Sequence, residues 1–95
     1  MRFVWDPAKD VLNRRKHGLS LADGIPALED RNRVFWTDDR YDYGEIRLVT
    51  AGRNGGKVLI VVSTEREPED DGEEVTRIIS VRKAKPYEED WFDFG

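Results

Sequence analysis

Cysteine is absent from the 95-residue chain, so no disulfide, thiolate nucleophile or thiolate metal site can operate, and the sequence suits a reducing compartment. Histidine occurs once, at His17, which leaves any metal to carboxylates, and those of Asp38, Asp39 and Asp42 lack the spacing of a calcium loop. No metal and no cofactor are therefore expected. A phosphate-cradling glycine loop is also missing, because Gly52-Arg53-Asn54-Gly55-Gly56 reads as a hairpin with no helix after it. Long apolar runs are lacking too. The longest, Val58 to Val62, is strand-sized, far short of the roughly 20 residues of a membrane helix, and acid and proline at Asp6-Pro7 arrive too early for a signal peptide. These features predict a cytoplasmic protein with no membrane partner, and the length predicts one domain over residues 1–95.

What is present is charge, unevenly distributed. The net charge of -4 would ordinarily exclude a nucleic-acid partner, which calls for a basic surface to displace counterions from phosphates. Yet the stretch Glu67 to Glu74 holds six acids and Pro86 to Gly95 holds four, and neither has a Lys or Arg. Outside them, 16 cations face 10 acids. The body is basic and the appendages are acidic.

Local patterns predict an α+β domain in the order β-α-α-β-β-β-β-α. Phe3-Val4-Trp5 is β-prone. Asp6 as N-cap and Pro7 at the first position start a helix with an apolar stripe at Ala8, Val11 and Leu12; four basic residues and Gly18 stop it. Ser20 and Asp23 open a second helix, short because Gly24 and Pro26 lie within it. Alternating, β-branched segments at 32–37, 45–53, 57–66 and 73–83 predict an antiparallel meander, with Asn54-Gly55-Gly56 as its tightest turn and residues 68–72 as a long acidic one. Pro86 opens a final helix carrying Tyr87, Trp91 and Phe94 on one stripe, which packs on the sheet, fills a partner's groove or stacks bases, while Phe3 with Trp5 and Phe35 with Trp36 read as core.

Several blocks in this order carry a resemblance: Trp5-Asp6-Pro7-x-Lys9, Asn13, Lys16-His17-Gly18-x-Ser20, Gly52-Arg53, and Arg77-Ile78-Ile79-Ser80-Val81-Arg82-Lys83-Ala84. Together, over roughly residues 3 to 88, they resemble the BrnT toxins of type II toxin–antitoxin systems. The resemblance implies a RelE-like domain with two N-terminal helices and a short C-terminal helix over the sheet. It also implies an endoribonuclease that arrests growth by cutting RNA, and a small, dimeric, BrnA-like antitoxin that neutralises it and alone contacts operator DNA. The tail departs from relatives, keeping the acid at Glu88 but losing the cations around it, and Gly24 and Pro26 replace a run of Glu and Ala.

Metal-free RNA cleavage needs a base for the 2′-hydroxyl proton, an acid for the leaving 5′-oxygen and cations on the phosphorane, for which the planar guanidinium fork is well shaped. Arg53, Arg66 and Arg82 are the expected phosphate ligands, converging from separate strands, with Arg47, Arg77, Lys83 and Lys16 as further RNA contacts. Strict alternation puts Ile78, Ser80, Arg82 and Ala84 on one face of the last strand and Arg77, Ile79, Val81 and Lys83 on the other. Ser80 either orients a phosphate or hydrogen-bonds across the sheet. His17 is a candidate general acid or base, or a helix cap; Glu45 and Glu88 are candidate bases, or surface carboxylates.

Overall fold

The computed structural model describes residues 2–40, 42, 44–65, 67–68 and 72–93. The first strand, β1 (Arg2–Val4), runs into helix α1 (Pro7–His17). Asp6 caps that helix by accepting the Ala8 amide at 2.9 Å, and Gly18, at φ 71°, closes it by donating its N–H to the Arg14 carbonyl. A 3₁₀ turn, Leu21–Gly24, follows from a reciprocal Ser20–Asp23 capping box and leads into α2 (Ile25–Glu29). Pro26 lies in the first turn of α2, where a missing N–H costs little.

Four strands then form the expected meander: β2 (Val34–Thr37), β3 (Arg47–Asn54), β4 (Lys57–Thr64) and β6 (Glu74–Lys83), with the two-residue β5 (Glu67–Pro68) paired to β6. The sheet order is β1-β6-β4-β3-β2, and β1 lies parallel to β6, so the sheet is mixed. Gly55, at φ 63°, supplies the left-handed residue of the β3–β4 hairpin. The acidic turn falls largely on residues 69–71, outside the described ones.

One face of the sheet carries α1 and α2 over Leu21, Ala27, Leu59, Val61, Ile78 and Val81. Gly52 allows this approach, since a Cβ there would stand 2.2 Å from the Ala27 carbonyl oxygen. Gly24 acts likewise, because a Cβ there would meet the Val81 side chain at 2.8 Å. The opposite face packs Val49, Ala51, Val58, Ile60 and Ala84, and helix α3 (Pro86–Asp93) crosses it from the end of β6 to Trp36 on β2.

Three expectations are corrected. The apolar stripe of α1 does not enter the core: Val11 and Leu12 are 49% and 61% exposed, while the polar Asn13 is buried. Its amide donates to the Val81 and Leu19 carbonyls and accepts the Val81 N–H, completing the edge of β6 beyond the three residues that β1 covers. Phe35, Trp36, Tyr87 and Trp91 are exposed rather than core; Trp91 meets Trp36 and Tyr87 edge-on, with centroids 5.5 and 5.4 Å apart. Phe94 lies outside the described residues. Finally, alternation along β6 is broken by a bulge. Val62 faces Ser80 but Ser63 faces Ile78, so Ile79 is the extra residue and Ile78 turns into the helix-covered core. Arg77 thereby joins Ser80 and Arg82 on the α3 side.

Candidate RNA-binding site

The site begins with Arg82. Its position opposite Ile60 aims it at the face crossed by α3, and Ala84 reinforces the strand end by donating its N–H to the Val58 carbonyl. Pro86 then starts α3, bringing Glu88 to the third helical position, where one carboxylate oxygen accepts the Lys85 N–H at 2.8 Å in the manner of a capping box. The same carboxylate grips Arg82 with both oxygens, each 2.7 Å from a guanidinium nitrogen. Glu88 is only 3% exposed. Its carboxyl is held below the usual range by the Arg82 hydrogen bonds first, against burial, with the Lys85 amide also contributing, and the Arg82 pKa is raised chiefly by the same pair. Glu88 is thus ionised and fully occupied, a group that orients Arg82.

The C-terminus of α1 reaches this point because Asn13 ties the helix to Val81. His17 follows one turn later, half-buried, and its pKa is lowered from 6.5 by burial first, then by the charges of Lys16 and Arg82. It is therefore largely neutral near neutral pH. Arg40 also raises the local potential at Arg82. It extends from the β2–β3 connection and is held by the buried Asp38 through hydrogen bonds of 2.9 and 3.0 Å. This pair was not singled out in the sequence, where Asp38 and Asp39 read only as carboxylates without calcium-loop spacing; the available signal is an Arg two residues after an Asp that directly follows a strand.

At the other end of the face, Glu45 joins two arginines, accepting a short hydrogen bond from Arg77 and lying 3.5 Å from Arg47 Nε. Ser80 sits between the two arginine groups, half-buried and opposite Val62. Lys83 pairs with Leu59 and so points to the helix-covered side, away from Arg82. Arg53 stands opposite Val58 at the hairpin end, with its backbone N–H bonded to Asp30. It shares the Arg82 face but lies two strands across and at a different level, so Arg53 and Arg82 are not cross-strand neighbours. Arg66 lies outside the described residues. Among the described residues no group of three or more His, Cys, Asp or Glu side chains could hold a metal ion, and no helix is long and apolar enough to cross a membrane.

Residues 5–88 match the family model described as the ribonuclease toxin BrnT of type II toxin–antitoxin systems. The chain belongs to the BrnT family. No curated protein matches it closely enough to count. Membership makes it a ribonuclease-toxin homologue with an antitoxin partner implied, and the matched span takes in every element from α1 to the first turn of α3, Glu88 included.

Proposed function

We propose that this BrnT-family chain is a metal-independent, RelE-like endoribonuclease that cleaves RNA and arrests growth until a small BrnA-like antitoxin covers it. The observation that carries this reading is the Arg82–Glu88 fork, with Arg82 close enough for its charge to help lower the pKa of His17. A carboxylate that accepts from both Nη1 and Nη2 fixes the plane of Arg82, leaving the edge that carries Nε to meet a phosphate oxygen. His17, with its lowered pKa, is ready to take the proton of a ribose 2′-hydroxyl. The oxygen then attacks the adjacent phosphorus, the bond to the 5′-oxygen breaks as that oxygen takes a proton from solvent water, and a 2′,3′-cyclic phosphate and a 5′-hydroxyl remain. Arg82, Lys16 and Arg40 counter the extra negative charge of the phosphorane. Arg47, Arg77 and Ser80 lie further along the same face, as a track for the backbone.

The test is cleavage of labelled RNA in EDTA, together with growth on induction without antitoxin. Arg82→Ala is expected to lower the cleavage rate by about 10²- to 10³-fold and to abolish growth arrest; cleavage that persists in Arg82→Ala overturns the assignment.

One set of observations favours a second reading. Arg82 is engaged by Glu88, and Arg47 and Arg77 by Glu45, so part of the basic face is internally neutralised, as in a binding module that acts through its partner alone. Glu88→Ala separates the two. An active wild type whose rate falls in Glu88→Ala marks Glu88 as a positioning residue, whereas a wild-type chain that is itself inert yet binds the antitoxin supports the module.

A further inference from the structure

Strand β2 ends the sheet, and among the described residues no strand pairs with its outer edge. Its sequence, Val34-Phe35-Trp36-Thr37, contains no lysine, proline or bulge of the kind that blunts an open edge. It is also apolar on both sides, with Phe35 58% exposed on the helix-covered side and Trp36 39% exposed on the other. We propose that this edge pairs antiparallel with the same edge of a second copy of the chain, joining two sheets across a two-fold axis at Trp36.

Backbone parity limits the registers. Asp38 donates its N–H to the Arg47 carbonyl, so Asp38, Trp36 and Val34 exchange their bonds with β3, and the amides and carbonyls of Phe35 and Thr37 face outward. A second β2 must then place odd residues opposite odd ones. An axis through Trp36 sets Phe35 against Thr37 of the other copy as a hydrogen-bonded pair, and Arg33 against Asp39, twice by symmetry. An axis at Phe35 would set Arg33 against Thr37, and one at Thr37 would set Trp36 and Phe35 against Asp38 and Asp39. Only the Trp36 axis joins both apolar contact and the Arg33–Asp39 pairs. The stretch Arg31-Asn32-Arg33 before the strand and Asp38-Asp39 after it make the edge charge-complementary to its own inverse, and this favours a second copy over a uniformly acidic or basic partner. The two Trp36 residues become a closely spaced, non-hydrogen-bonded pair, each ring beside the hollow of about 410 Å³ lined by Val34, Trp36 and Trp91. Four residues a side bury little surface, so the dimer is weak and concentration-dependent.

Sedimentation velocity on the purified full-length chain over a concentration series tests this. A reversible monomer–dimer equilibrium is expected, weakened about tenfold by Arg33→Asp or by Asp39→Arg and restored in the double variant, whose charges are exchanged. The register has its own readout. The chain has no cysteine, and Trp36→Cys would face its copy across about 4.5 Å between Cα atoms, within disulfide range. It should therefore oxidise to a covalent dimer faster than Thr37→Cys. A monomer at every concentration, a dimer indifferent to the charge exchange, or a β2 edge whose variants lose only antitoxin binding would each overturn the proposal.

Discussion

At the scale of single residues, two buried polar groups do different work. Asn13 satisfies three backbone partners from one side chain, so Asn13→Ala is expected to strand the Val81 and Leu19 groups and lower stability by about 2 to 4 kcal/mol, read as a shift in urea midpoint. Such a change was not visible in the sequence as stability, since helical periodicity ranks Val11 and Leu12 as core and Asn13 as surface; the decisive partner, Val81, is 68 positions away. Glu88 is tied to a charge. Glu88→Gln keeps the shape but loses the ionic fork, and its effect is expected to depend on pH. The Glu88 pKa is lowered on folding, so its stabilisation is full above the unfolded carboxylate range and lost as pH falls through the folded value. His17 acts in the same sense: with a folded pKa below 6.5, it adds stability that fades as pH drops below 6.5, where the unfolded chain takes up the proton more readily. Stability of the wild type is therefore expected to fall on acidification more steeply than that of Glu88→Gln, measured by urea unfolding at a series of pH values. Parallel curves would refute a native-state clasp.

At the scale of elements, the helices were largely legible because their caps are local. Asp6, Pro7, Gly18, Ser20 and Pro86 each act within one turn of themselves, and their signals coincide with the observed ends. The strands were legible as a meander for the same reason, through β-branched runs and the Asn54-Gly55-Gly56 turn. What alternation could not supply is the bulge at Ile79, which arises from how β6 meets β4 and which moves Arg77 to the site face. Nor could it supply the parallel pairing of β1. Gly52 shows an element-level constraint of close approach: Gly52→Ala would drive a methyl into the Ala27 carbonyl, and with backbone on both sides it is expected to destabilise by about 3 kcal/mol, seen as a lowered melting temperature. An unchanged melting temperature would mean that α2 can lift from the sheet.

At the scale of the whole molecule, the proposed RNA binding depends on the balance between a basic body and the acidic stretches at 67–74 and 86–95. Phosphate contacts release counterions, so affinity is expected to fall steeply as salt rises, measured by filter binding at several ionic strengths; an affinity independent of salt would count against the Arg82 face as the RNA track. One acid of the tail, Glu88, acts as a fixed part of that face, so charge counting alone misjudges it. The amino-acid sequence determined the elements, their caps, the turn chemistry and the family, because these depend on neighbours a few positions apart or on motifs kept in order. The tertiary structure decided which polar groups meet: Arg82 with Glu88, Arg77 with Arg47 through Glu45, Asn13 with Val81. Those pairings depend on strand register and on where helices cross the sheet, distances in space that no local pattern encodes.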